Sequence, residues 1–207
     1  TMKLIDELEF KKLLSSLKIE ETILKSEQPK LIEVLCLSLY RPLHCYNWCD
    51  DLKVLDQSLE LKTRLIEEPI AERAIAKDTP LLKDISDEVS FKVREQYEEN
   101  PYPRWVKLDI PIKAKSITQF CDVIKLHLHS ESITDVTTPK ILIAGCGTGQ
   151  QAIESAFRFS NQQVLAVDLS LASLAYAKRK TNELNINHLE YLQADILDLY
   201  LLGRKFD

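Results

Sequence analysis

The sequence predicts an α/β protein, an α-helical domain over residues 1–108 followed by part of a parallel-sheet domain over residues 109–207. Three observations carry this. The first hundred or so residues are glycine-poor and repeat their apolar positions at helical spacing. Residues 141–144 form an apolar run suited to a buried strand, and they enter a turn with glycine at 145, 147 and 149. Two further strand-like segments, 163–168 and 189–195, each close on an aspartate, with helix-like sequence between them.

Within the first stretch, Phe10, Leu13, Leu14 and Leu17 follow i, i+3, i+4, i+7 spacing, and Leu31, Val34 and Leu35 begin a second apolar stripe. Pro29, Pro42, Pro69 and Pro80 lack an N–H and clash with a preceding turn, so each is expected at a helix start or between helices. Ile85, Val89, Val93 and Tyr97 recur every four residues, with Asp84 or Ser86 as the expected cap. At an ordinary length of about eleven residues, about four to six helices fit. The character then changes at residues 94–105, REQYEENPYPRW. Two prolines push Asn100 and Tyr102 out of the helical region, so the helix gives way to a stiff extended segment. Such backbone, presenting Tyr97, Tyr102, Arg104 and Trp105, makes either the wall of a pocket or a staple between helices and sheet. A helix over residues 117–129, apolar at Phe120, Val123, Ile124 and Leu128, leads into a polar loop at 130–140.

The glycine turn is where ligand chemistry enters. Glycine removes the Cβ, permits positive φ and lets main-chain N–H groups face a ligand. The helix expected from Gln150 to about Phe159 starts in the same space, with Ile153, Ala156 and Phe157 inward. Strand, glycine turn and helix together describe a Rossmann-type corner. A dinucleotide fingerprint reads GxGxxG, whereas here Gln150 stands at the third glycine's position and the pattern is GxGxG. Asp168, at the end of the next strand, can accept hydrogen bonds from both hydroxyls of a ribose. Asp195 followed by Ile196 suits an adenine, one accepting from its amine and the other contacting its face. A helix from Ser170, its N-cap, to about Lys180 is expected between them, with Asn182 and Asn185 as exit residues.

These motifs resemble those of class I S-adenosylmethionine-dependent methyltransferases: ILIAGCGTGQ is similar to that family's first motif, VLAVDLS to its second and LQADILDL to its third, in order and at natural spacing. The resemblance implies a Rossmann-like domain with parallel strands in the order 3-2-1 and S-adenosyl-L-methionine as cofactor. Gly145, Cys146, Gly147 and Gly149 would cradle its methionine part, Asp168 would meet the ribose and Asp195 with Ile196 the adenine, with Gln150 and Leu169 as further cofactor-binding residues. QYEENPYPRW, with LIEVLCLSLYRPLHCYNW upstream, also resembles a bacterial group whose longer members carry tetratricopeptide repeats. The resemblance assigns no methyl acceptor and no general base. Two other readings stay open: an NAD-binding oxidoreductase, against which Gln150 counts, and a non-catalytic helical interaction module joined to a vestigial Rossmann half.

Composition narrows the partners. A net charge of −5 argues against non-specific attraction to nucleic acid or anionic lipid. The sequence has no apolar run long enough to span a membrane, and the expected compartment is the cytoplasm. Five cysteines read as free thiols. His44, Cys45 and Cys49 lack paired zinc-ligand spacing, so no metal is expected. His127 and His129 alternate in a polar stretch and read as exposed. Thr1 ahead of Met2 suggests a cut or tagged start, and the chain ends where the family enters a fourth strand. The expectation is a fragment holding the cofactor half-site, whose apolar strand 141–144 becomes a sheet edge prone to self-association or to cover by its own tail.

Overall fold

The structure, a computed structural model, describes residues 7–99, 101–110, 113–127, 133 and 135–207. Asn100, Leu128, His129 and the loop start at Ser130 lie outside the described residues. The chain divides into two units, Thr1–Arg73 and Ala74–Asp207.

The first unit is helical. Helices α1 (Glu7–Leu17), α2 (Ile19–Leu24) and α3 (Leu31–Ser38) lead to the 3-10 turns Leu43–Cys45, Cys49–Asp51 and Lys53–Gln57, and α4 (Leu59–Lys62) follows. A π turn, Thr63–Glu67, joins α4 to α5 (Glu68–Asp78), which crosses the boundary between the units. The prolines explain the joints. Pro29 precedes α3, Pro42 precedes the first 3-10 turn and Pro80 follows α5, while Pro69 sits in the first turn of α5 straight after the widened π turn. A π turn there is reasonable because proline has no N–H to offer the preceding carbonyl. The apolar stripes meet inside: Ile19, Val34, Leu37, Leu43, Leu55 and Ile66 are buried, with Phe10, Leu14, Leu17 and Leu31 packed against them. Each such burial contributes about 1.5–3 kcal/mol. Gln28 ties the irregular part to this core, donating to the Asp51 carbonyl at 3.0 Å and accepting from the Val54 N–H at 3.1 Å.

The second unit holds the sheet. Strands β1 (Lys140–Ala144), β2 (Gln163–Asp168) and β3 (Leu189–Gln193) are parallel in the order β1-β2-β3, with Lys140 opposite Gln163 and Val164 opposite Leu189. This is the 3-2-1 arrangement the sequence predicts. The crossover helices are α8 (Gln150–Arg158) and α9 (Leu171–Glu183). Both connections step the same way across the sheet, and right-handed crossovers then put both helices on one face. Accordingly Ala152, Ile153 and Ala156 of α8 and Leu174 and Ala177 of α9 share one core with Ile143, Val164, Ala166, Leu189 and Tyr191. Successive strand residues alternate sides, so Leu165 and Val167 enter a second core with Ala194, Leu82, Leu199, Leu202 and Phe206. Burial on both faces is why β2 reads as an unbroken apolar run.

Both sheet edges meet other backbone. Gln193 on β3 donates to the Pro80 carbonyl at 2.8 Å and accepts from Leu82 N–H at 2.9 Å. On β1, the Asp207 N–H donates to the Lys140 carbonyl (3.0 Å) and the Lys140 N–H donates to Asp207 Oδ2 (2.9 Å). Two helices preceding the sheet depart from expectation. In α6 (Glu88–Glu99) the cap is neither Asp84 nor Ser86 but Asp87, whose Oδ1 accepts from Ser90 N–H at 2.8 Å. That bond to the charged form holds the Asp87 carboxyl below its ordinary range. Helix α7 (Ile117–Ile124) opens with the Ser116–Gln119 capping box and stops at Lys125 (φ 55°), before His127 rather than at His129. Its left-handed C-cap lets Leu126 N–H reach back to the Cys121 carbonyl at 2.9 Å, which closes the helix early.

His44 makes the first unit sensitive to acid. Its Nδ1 is buried without a hydrogen-bond partner. Burial first, and the charge of Arg73 second, hold the imidazole below its ordinary pKa. The unfolded chain therefore binds the proton more readily, so this contribution is complete above about pH 6.5 and is lost as pH falls through the folded-state value. Melting of this unit, followed by Trp48 emission in a Trp105→Phe background, is expected to move to lower temperature between about pH 7 and pH 5, and His44→Leu to flatten that dependence. An unchanged slope in His44→Leu would contradict the assignment.

Candidate functional site

The chain turns at the carboxyl end of β1 because two consecutive amides, Gly145 N–H and Cys146 N–H, donate to one acceptor, the Val167 carbonyl, each at 2.9 Å. The next amide, Gly147 N–H, donates to Asp168 Oδ2 at 2.8 Å, while Asp168 Oδ1 accepts from Ser170 N–H at 3.0 Å. Each carboxylate oxygen thus has one backbone donor and retains a lone pair for a ligand hydroxyl. Asp195 is 3% exposed, and its Oδ1 accepts from Leu197 N–H at 2.9 Å, capping the 3-10 turn Ile196–Leu202.

These strand ends surround a cavity of about 940 Å³. Gly145, Cys146, Gly147 and Gln150 line it from the turn and α8, Asp168 and Leu169 from the end of β2, and Asp195 and Ile196 from beyond β3. A Cβ at Gly145 would meet nothing within 4 Å, and one at Gly147 would approach only the Tyr102 carbonyl at 3.9 Å, so both open toward the cavity. Their φ values of 75° and 52° are ones that side-chain-bearing residues rarely adopt. Cys146 is buried, and burial together with the Asp168 charge pushes its thiol well above its ordinary pKa. It is therefore a neutral wall group rather than a nucleophile.

Gly149 serves another purpose. It does not line the cavity, and a Cβ there would lie 2.5 Å from Ala177 Cβ and 3.0 Å from the Tyr191 hydroxyl. The third glycine of this turn lets α8 come close to α9 and β3, which is the task a dinucleotide fingerprint gives to the position Gln150 occupies here.

The four aromatic and basic residues of 97–105 separate. Tyr97 and Tyr102 line the cavity, while Arg104 and Trp105 face α9. The Trp105 indole N–H donates to the Thr148 carbonyl at 3.0 Å, and its ring meets Tyr176 edge-on at 5.8 Å. The Arg104 guanidinium lies 4.7 Å above the Tyr176 ring. Helix α6 contributes the wall beside Tyr97 through Val89 and Val93. It is fastened to α9 by Glu98, whose carboxylate accepts from Leu171 N–H (2.6 Å) and Ala172 N–H (3.0 Å). A carboxylate at a helix N-terminus is favoured by both the free amides and the dipole. Glu98, Thr148, Leu197 and the wall role of Val89 and Val93 are absent from the sequence reading. A glutamate 73 residues away from the helix it caps leaves no local signal. Thr148, by contrast, stands inside the glycine motif and could have been singled out.

Compared with known proteins, the sheet segment is the part that matches a family model. Residues 141–207 match the methyltransferase-domain family. The matched segment starts within β1 and contains the glycine turn, Asp168, Asp195 and Ile196. Among solved structures, similarity extends to geranyl diphosphate C-methyltransferase from Streptomyces coelicolor A3(2), with 16% identity over 55% of this chain and 50% of that one and a TM-score of 0.38. Phosphoethanolamine N-methyltransferase 2 of Haemonchus contortus, solved with S-adenosyl-L-methionine, is 22% identical over 49% of this chain and 24% of that one, with a TM-score of 0.33. The [4+2]-cyclase SpnF is 18% identical over 56% and 44%, with a TM-score of 0.32. The chain spans half or less of the length of these structures.

Among the described residues no group of three or more His, Cys, Asp or Glu is placed to hold a metal ion, and no helix is long and apolar enough to cross a membrane. Cys49 Sγ donates to Asp50 Oδ1, and Cys45 accepts from Arg73.

The glycines can be told apart by substitution. Gly149→Ala incurs both a clash and a left-handed backbone, an expected loss of roughly 2–5 kcal/mol of stability. Gly145→Ala incurs the backbone term alone, about 1–2 kcal/mol. Urea unfolding of the two variants checks the order, and equal losses would contradict the packing role of Gly149.

Proposed function

We propose that this chain supplies the cofactor-binding half of an S-adenosyl-L-methionine-dependent methyltransferase acting on a methyl acceptor not yet identified. The observation that carries the reading is convergence: two open glycines, Asp168 and the Asp195–Ile196 pair all line one cavity at the carboxyl ends of three parallel strands. In this reading Gly145, Cys146 and Gly147 receive the methionine part, Asp168 the ribose, and Asp195 and Ile196 the adenine, with Gln150 and Leu169 lining the same cavity and Gly149 supporting the turn from behind. Residues 1–108 are the helical N-terminal domain, contributing α6 and the segment 102–105 to the cavity and its surround, and residues 109–207 contribute the sheet.

When bound, S-adenosylmethionine supplies a sulfonium methyl that is already activated, so the residues here have to bind, orient and exclude water. Asp168 orients by holding the Gly147 amide on one side and a ribose diol on the other. Tyr97, Val89 and Val93 give the cavity an apolar side from α6. The acceptor enters beside Tyr102, which is 75% exposed at the cavity's rim. No residue of the chain is assigned as a general base. The QYEENPYPRW segment supports membership of the bacterial group whose longer members carry tetratricopeptide repeats, and the acidic balance gives no indication of a nucleic-acid partner. Beyond Lys140 the edge of β1 is a place where a further strand or a second copy would pair.

Calorimetric titration with S-adenosylhomocysteine tests the assignment. Wild type is expected to bind it and to leave NADH unbound, and Asp168→Asn to weaken binding tenfold or more, since hydrogen bonds to a charged group contribute about 1.5–3 kcal/mol each. Preferential binding of NADH, or an Asp168→Asn variant equal to wild type, would overturn it.

A further inference from the structure

The turn over residues 145–149 has positive φ at Gly145, Gly147 and Gly149. Left to itself, such a backbone samples many conformations, and a ligand that ordered it would bear the entropic cost. In this protein the turn is held from two sides at adjoining residues. Asp168 holds the Gly147 amide at 2.8 Å. From the opposite side Thr148 is held twice, its carbonyl accepting from the Trp105 indole N–H at 3.0 Å and its Oγ1 donating to the Pro103 carbonyl at 2.6 Å. Thr148 is 2% exposed, so losing either partner strands a buried polar group.

The far side of this clamp is itself anchored. The Trp105 carbonyl accepts from the Tyr176 hydroxyl, and the Lys180 ammonium lies 5.7 Å from the Trp105 ring. Both partners belong to α9, the helix that starts just after Asp168. Turn, extended segment and α9 are therefore joined in one chain of contacts, of which Pro103, Gly147 and Thr148 line the cavity. An apolar packing contact would tolerate sliding, whereas two reciprocal hydrogen bonds on one residue define its register.

We infer that Thr148 and Trp105 are positioning residues for the cofactor, which hold the glycine turn in its ligand-receiving shape before ligand arrives. This rests on the proposed reading of the cavity as an adenosylmethionine site and adds to it a device that no strand-end motif supplies. It also makes the extended segment a part of the binding site's energetics rather than only of its wall.

The test is calorimetric binding of S-adenosylhomocysteine by the full chain and four variants. Trp105→Phe removes the indole N–H and keeps a ring against Tyr176, and Thr148→Val removes the hydroxyl at similar size. Each is expected to weaken binding about tenfold, and the double variant also about tenfold in total rather than the roughly hundredfold of independent sites, because both act on one clamp. Thr148→Ser, which keeps the hydroxyl, is expected to restore binding to within about threefold of wild type. Binding by Trp105→Phe and Thr148→Val within about twofold of wild type would overturn the inference, as would failure of Thr148→Ser to rescue. If Thr148→Val does not fold, Trp105→Phe decides the matter alone. Wild type that binds no S-adenosylhomocysteine would instead remove the cofactor reading, and the clamp with it.

Discussion

The bond from the Gly147 amide to the Asp168 carboxylate is the constraint on which the rest of the site depends. It joins the turn after β1 to the end of β2, the two places where a nucleoside cofactor has to be gripped at once. The carboxylate has a second backbone donor at Ser170 N–H, so its plane is defined by the protein before any ligand is present. Preorganisation of this kind lets ligand contacts be made without rearranging the donor, which is where most of the ordering cost would otherwise fall. The parallel register makes the bond possible. Ala144 lies opposite Val167, so the turn leaving β1 reaches Asp168 one residue later.

Around that bond the packing has a consistent logic. Right-handed crossovers put α8 and α9 on one face, and the missing Cβ of Gly149 lets α8 sit close against Ala177 and Tyr191. Tyr191 is itself secured by Thr181 at 2.8 Å. The entry end of α9 is closed by Glu98 rather than left for a ligand. Anion-binding capacity at that helix start is therefore already in use, and the open capacity at the strand ends lies with the carboxylates of Asp168 and Asp195.

Much of this was legible in the sequence, and the unread part has physical causes. The strands were readable because burial on both faces leaves apolar runs, and β2 begins at Gln163 and ends at Asp168 as its sequence indicates. Helix α9 was readable from Ser170, whose Oγ accepts from Ser173 N–H at 3.0 Å. Caps with several neighbouring candidates were harder. Asp84, Ser86 and Asp87 all precede α6, and the choice of Asp87 depends on where the chain leaves its pairing with Gln193 near Leu82. The end of α7 depends on Lys125 adopting positive φ, a conformation its residue type does not announce. Of the site, the strand-end residues were visible because their chemistry is local. Glu98 and the reciprocal bonds of Thr148 with Pro103 and Trp105 join residues 43 to 74 positions apart, and no local pattern encodes them.

The central claim is that one preformed cavity at the ends of β1, β2 and β3 receives an adenosyl group in a defined orientation. A crystal structure with S-adenosylhomocysteine tests it most directly. The account predicts ribose hydroxyls within hydrogen-bond distance of both Asp168 oxygens, the adenine against Ile196 with its amine at Asp195, and a turn at Gly147 and Thr148 unchanged from the ligand-free form. A ligand bound elsewhere, a ribose turned away from Asp168, or a turn that has to unclamp from Trp105 to admit it would contradict the account.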